Sequence, residues 1–172
     1  YAPYATAEWT ERLTIAFAEH RRWPANEAIK AKCLVYSGIL AHYAQDICQP
    51  LHVTIHFDGR ADADGQVPHT RIHEGVDSLI ERLDLSDSAI AASVSPTSFE
   101  DIRAAVQMEL RRSHALVDVI YDHEPEMRAA SGEHAESFAA ERSQAAAQFP
   151  ASLLVSAWEL SESVELPGSL RR

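Results

Sequence analysis

Cysteine is scarce in this chain of 172 residues, which has only Cys33 and Cys48. Both fall within one predicted helix, where their spacing amounts to about 22 Å of rise, whereas a disulfide needs Cα atoms within about 7 Å. They cannot pair with each other. They read as two small buried hydrophobes and leave the redox compartment open. Long apolar runs are also missing: stretches such as Ala151 to Trp158 fall well short of the roughly 20 residues a membrane span requires, so no transmembrane segment is predicted. Positive charge is sparse, with 15 Lys and Arg against 26 Asp and Glu and a formal net charge of −11. Outside Arg21-Arg22, Arg111-Arg112 and Arg171-Arg172 no basic patch interrupts the acidity, which argues against a duplex-binding module with its clustered positive footprint. A phosphate-bearing substrate would have to be attracted locally, by metal ions. The first residues, Tyr1-Ala2-Pro3-Tyr4, show neither the basic region nor the apolar run of a secretory signal. Without an initiator methionine, the chain is expected to be a processed product or a fragment.

What is present suffices for one domain over residues 1–172, since 46% of them are apolar and a chain of this length can bury a real core. Trp9, Leu13, Ala16 and Phe17 recur at helical spacing and predict a helix from about Thr6 to His20, ended by Trp23-Pro24. From Asn26, a good N-cap, to Gln49 the positions Ile29, Cys33, Tyr36, Leu40, Tyr43 and Ile47 form one stripe, widened by Leu34, Val35 and Ile39. This predicts a long, largely buried helix stopped by Pro50. Val53 to Pro68 reads as a loop of functional length, followed by a helix from His69 to about Leu83. Thr97-Ser98-Phe99-Glu100 has the spacing of a capping box and opens a predicted helix reaching about Asp122. Pro125 and Ser131-Gly132 break the chain, and helical character resumes from Glu133 to Phe149, with Pro150 expected to kink or divide it from Leu153 to Leu160. With no internal repeat and no strand-period run longer than Leu51 to Phe57, the expected architecture is all-α, with five to seven helices.

The chemistry concentrates in His42-x3-Asp46-x5-His52, followed by His73-x3-Asp77. Side chains four apart on a helix share a face, so His42/Asp46 and His73/Asp77 can each hold a cation, and His52 stands between the pairs. Zinc prefers imidazole and carboxylate in four-coordinate sites, and a catalytic zinc leaves one position to water. Each H-x3-D alone is a weak signal, but the string that includes Gln49-Pro50-Leu51-His52 is a strong one. The bland alternatives are a buried hydrogen-bonded pair for His42 and Asp46, and a surface cluster for His52, His73 and Asp77. His69 could serve as a ligand or cap its helix, His56 lines or packs a cleft wall, and His20, His114, His123 and His134 read as solvated or capping residues. Asp58, Asp62, Asp64 and Gly65 fail the register of a calcium loop, which would put Arg60 at its first ligand and Arg71 at its last.

The segment from Leu40 to Asp77 resembles the superfamily of zinc-dependent phospholipases C and fungal single-strand-specific nucleases, through His42, Asp46, Pro50, Leu51, His52, His73 and Asp77. The resemblance implies an all-α fold with up to three zinc ions in a cleft. By it, His42 would bind the first zinc, Asp46 would bridge the first and third in the catalytic centre, and His52, His73 and Asp77 would bind the second. It implies phosphodiester hydrolysis by metal-activated water, on phospholipid head groups or single-stranded nucleic acid, and an extracytoplasmic location. The family completes its first and third sites with residues upstream of His42, beginning with an amino-terminal tryptophan where this chain has Tyr1. The resemblance therefore covers about the carboxy-terminal two thirds of such a domain. Either an upstream segment is missing, the preferred reading, or this member binds fewer metals. The fungal nuclease branch carries Gly-Gly-Asn where this chain has Asp58-Gly59-Arg60 and Asp64-Gly65-Gln66. The competing classes are a non-catalytic zinc-binding helical module that has lost part of the trinuclear site, and a purely structural helical domain. The oligomeric state is left open.

Overall fold

The structure, a computed structural model, describes residues 2–169. Tyr1 and the Arg171-Arg172 pair singled out above lie outside the described residues, as does the end of the tail after Pro167. Among the described residues every regular element is helical and no strand forms, in keeping with the expected all-α class. No described helix is long and apolar enough to cross a membrane. Two compact units are formed: the described parts of Tyr1–Gln45, Ser95–Gln107 and Gln148–Arg172 make the first, and Asp46–Val94 with Met108–Ala147 make the second.

The first unit holds α1 (Ala2–Arg22) and α2 up to Gln45 of its Glu27–Asp46 span. Leu13, Ala16, Ile29, Leu40 and Leu153 are buried in it. Thr6, Thr10 and Thr14 recur every fourth residue along α1, and each hydroxyl donates to the carbonyl one turn back, on Ala2, Thr6 and Thr10. A polar stripe can therefore be buried without losing its hydrogen bonds. Asn26 caps α2 as expected, its Oδ1 accepting from the N–H groups of Ala28 and Ile29. The helix stops at Asp46 rather than Gln49, which leaves Cys48 in the turn beyond it. Leu34 and Val35, expected to widen the buried stripe, are 75% and 58% exposed; they sit a third of a turn off the Ile29, Cys33 and Leu40 face that is buried. Arg21 stacks over Trp158 at 3.8 Å and donates to Ser161 Oγ and the Trp158 carbonyl.

The predicted capping box at Thr97 to Glu100 does not start a helix. The backbone N–H groups of Ser95, Thr97 and Phe99 instead donate to Gln148 Oε1, Ser152 Oγ and Ser156 Oγ, at 2.8, 3.2 and 2.8 Å. Alternate donors point one way, so the segment is held extended. Helix α6 (Ile102–His114) begins later, where Asp101 Oδ1 accepts from the Ala104 N–H.

The second unit is built around Leu51, Ile72, Val76, Leu79, Ile120, Met127 and Phe138. Its elements are a 3₁₀ turn at Pro50–Val53, α3 (Ile72–Asp77), α4 (Leu79–Arg82), α5 (Asp87–Ser93), the end of α6, α7 (Val117–Asp122), α8 (Glu124–Ala129) and the start of α9 (Glu133–Leu160). The predicted helix over 69–83 starts only at Ile72, because His69 and Arg71 have φ of 54° and 67°, outside the helical region, and it is interrupted at Ser78. The predicted helix reaching Asp122 is likewise divided, between α6 and α7. These breaks, together with the short helices α5 and α8 that were not expected, bring the number of α-helices among the described residues to nine, above the five to seven expected. At Pro150 the opposite holds, and α9 runs through it.

Candidate metal centre

Three of the five predicted ligands converge within the second unit. One donor atom each from His52, His73 and Asp77 lies within 4.8 Å of the other two. Pro50 starts the 3₁₀ turn with its φ already restrained, fully buried Leu51 anchors it, and the next residue, His52, is partly exposed. Buried Ile72 and Val76 fix one face of α3 in the core and so turn His73 and Asp77, four apart, toward His52. The His52 and His73 rings meet edge to face, centroids 4.9 Å apart at 88°. His52 Nε2 lies 3.7 Å from Asp77 Oδ1, and His73 Nε2 lies 3.4 Å from Asp77 Oδ2. His73 Nε2 is buried and makes no hydrogen bond.

Asp46 stands on the other side of the His52 ring, its Oδ1 3.3 Å from Nδ1. A carboxylate on the ring nitrogen that faces away from a metal fixes the tautomer and orientation of a ligating histidine. His42 lies in the first unit, exposed on α2, its ring 5.3 Å from that of Tyr43.

The charges sustain one another. His52 is raised above its ordinary value of 6.5, first by its hydrogen bond with Asp77 and then by the charges of Asp77 and Asp46, against the opposing effect of burial. For Asp77 burial pushes upward, but hydrogen bonds from His52 and Gln49 and the charges of His73 and His52 bring it below 3.8.

Gln49 stands in the sequence string, but its role is one that sequence reasoning missed. Its Nε2 donates to Asp77 Oδ1 at 2.7 Å, and its Oε1 accepts from the Leu51 N–H at the start of the 3₁₀ turn. One side chain thus ties the turn carrying His52 to the carboxylate of α3. A glutamine before proline was the only local signal.

The loop from Val53 to Pro68 packs beside this group. Phe57 sets its ring edge to face with both His69 and His73, at 6.0 and 6.2 Å. Asp58 Oδ1 accepts from the His73 N–H at 3.4 Å, and its Oδ2 lies 3.5 Å from His69 Nδ1. His69 therefore neither caps α3 nor joins the group. The Tyr121 hydroxyl donates to the His56 carbonyl and accepts from the Gly59 N–H, and His56 Nδ1 accepts from the Ala61 N–H. Gly59, at φ 123°, lets the loop close: a Cβ there would sit 2.6 Å from the Pro68 side chain.

Two imidazole nitrogens and a carboxylate, one nitrogen buried without a hydrogen bond, match the donor set of a three-ligand zinc site. Among known proteins the chain matches no family model, no curated protein and no solved structure.

Proposed function

We propose that this chain is a zinc-dependent phosphodiester hydrolase that uses metal-activated water. The observation that carries the reading is the convergence of His52 Nε2, the orphaned His73 Nε2 and the Asp77 carboxylate, with Asp46 behind His52. The resemblance of the His42 to Asp77 string to the zinc phospholipases C and single-strand nucleases supports the choice of reaction. In this reading His52, His73 and Asp77 hold zinc, Asp46 orients His52, and Gln49 holds Asp77. Zinc held there would supply Lewis-acid charge at the phosphate and lower the pKa of a water to about 7. The acidic chain, at −11, offers little cationic surface of its own for the phosphate.

Hydrolysis of an activated phosphodiester, of short-chain phosphatidylcholine and of single-stranded DNA should be measured with and without chelator. Turnover abolished by chelator and restored by zinc is expected, with the preferred substrate separating the lipid branch from the nucleic-acid branch. His73→Ala should lose at least about 100-fold of the activity, the scale of removing a main stabilising group. A second reading is a non-catalytic zinc-binding module, favoured by the donor set of His52, His73 and Asp77, which suffices to hold one zinc. One zinc per chain with no chelator-sensitive turnover would select that reading and overturn the first.

A further inference from the structure

A second group of donors in the second unit is built by a separate stretch of chain. His123 and Glu126 are three apart, at the cap and in the first turns of α8, and so share a face. Beyond α8 the backbone turns back through Ala130 and Gly132, at φ 48° and 100°, and brings His134, the second residue of α9, over His123. Gly132 suits the turn, since its φ of 100° would strain any other residue and a Cβ there would also displace the Glu126 carboxylate. The two imidazoles stack face to face, centroids 3.6 Å apart and planes within 13°. Both Nδ1 atoms approach the same oxygen, Glu126 Oε1, at 2.9 Å from His134 and 3.9 Å from His123. Glu126 Oε2 accepts from the backbone N–H of His134 at 3.0 Å, so the main chain aims the carboxylate and leaves Oε1 to the two rings.

We infer that His123, Glu126 and His134 form a second binding site for a divalent transition-metal ion of zinc type, a clip between α8 and α9. Three donor atoms of the right kind lie within 4.8 Å of one another, and zinc accepts imidazole nitrogen and carboxylate oxygen at about 2.0–2.2 Å. A cation on Oε1 and both Nδ1 atoms would leave the hydrogen bond to Oε2 as an outer support. Each side chain is partly exposed, His134 by 54%, so an ion and a completing water can enter. Rings bound to one ion diverge from it, and loading would therefore open the stack.

The test uses the full chain, stripped with chelator and titrated with zinc alone, in a His52→Ala/His73→Ala background that removes the first site. One zinc should still bind. The ring resonances of His123 and His134 should shift together, as they should in the unaltered chain, which frees the result from the folding of the double variant. His134→Ala and Glu126→Gln should each weaken that binding by at least about tenfold, the loss expected even for an outer-shell partner. Glutamine can still accept from the His134 N–H, so a mere helix cap would survive Glu126→Gln. Resonances that stay in place at saturating zinc, or affinity unchanged by both substitutions, would overturn the inference while leaving the proposed hydrolase untouched.

Discussion

His52 turns one ring nitrogen to Asp46 and the other to Asp77, and in the metal-free protein this favours the protonated ring. Because its folded value lies above 6.5, the stabilisation is complete below that pH and is lost as pH rises through the raised value. Asp77, lowered from 3.8, contributes above that pH and loses its contribution as pH falls through its folded value. Thermal unfolding in chelator should accordingly show its highest midpoint between these limits, and His52→Gln should flatten the alkaline decline. A midpoint indifferent to pH from 6 to 8 in the unaltered chain would contradict the assignment. His52, His73 and Asp77 are legible in the sequence because four-residue spacing on a helix is a geometric statement. Gln49 is not, since its partner Asp77 lies 28 residues away and only the folded turn brings them together. Read from the sequence as solvated or capping residues, His123 and His134 hide their pairing for the same reason: no helical spacing joins them, and the reversal at Ala130 and Gly132 does.

The short turn at Pro50–Val53 owes its position to Leu51, which is fully buried among Ile72, Val76 and Met127. Leu51→Ala should destabilise the chain by about 2–5 kcal/mol, the range for a buried leucine whose site collapses only partly, as read from the denaturant midpoint. It should also weaken zinc binding through His52, which the neighbouring Val53→Ala should do far less. At this scale the sequence discloses the all-helical class, the Asn26 cap and the short helix ends near Pro24 and Pro50. It does not disclose the interruptions at Ser78 and between α6 and α7, because apolar periodicity continues across them. The Thr97 to Glu100 pattern misleads for an identifiable reason. Its backbone donors find the serine hydroxyls of α9, a long-range alternative that a local capping pattern cannot register.

Across the whole molecule the negative charge of −11 favours cation capture over phosphate capture, and zinc affinity should therefore fall as ionic strength rises. The chain also distributes its two thiols evenly, Cys33 in the first unit and Cys48 in the second, both buried and unpaired with each other. Burial raises the pKa of each, far more for Cys48, which lies beside Glu109, so neither should react with a thiol reagent in the native state. Each becomes nucleophilic only when its own surroundings open. Pulsed alkylation along a denaturant series, resolved by peptide mass, should then give two separate opening free energies from one unmodified sample. Coincident midpoints would mark a single cooperative transition, and separated ones would rank the second unit against the first.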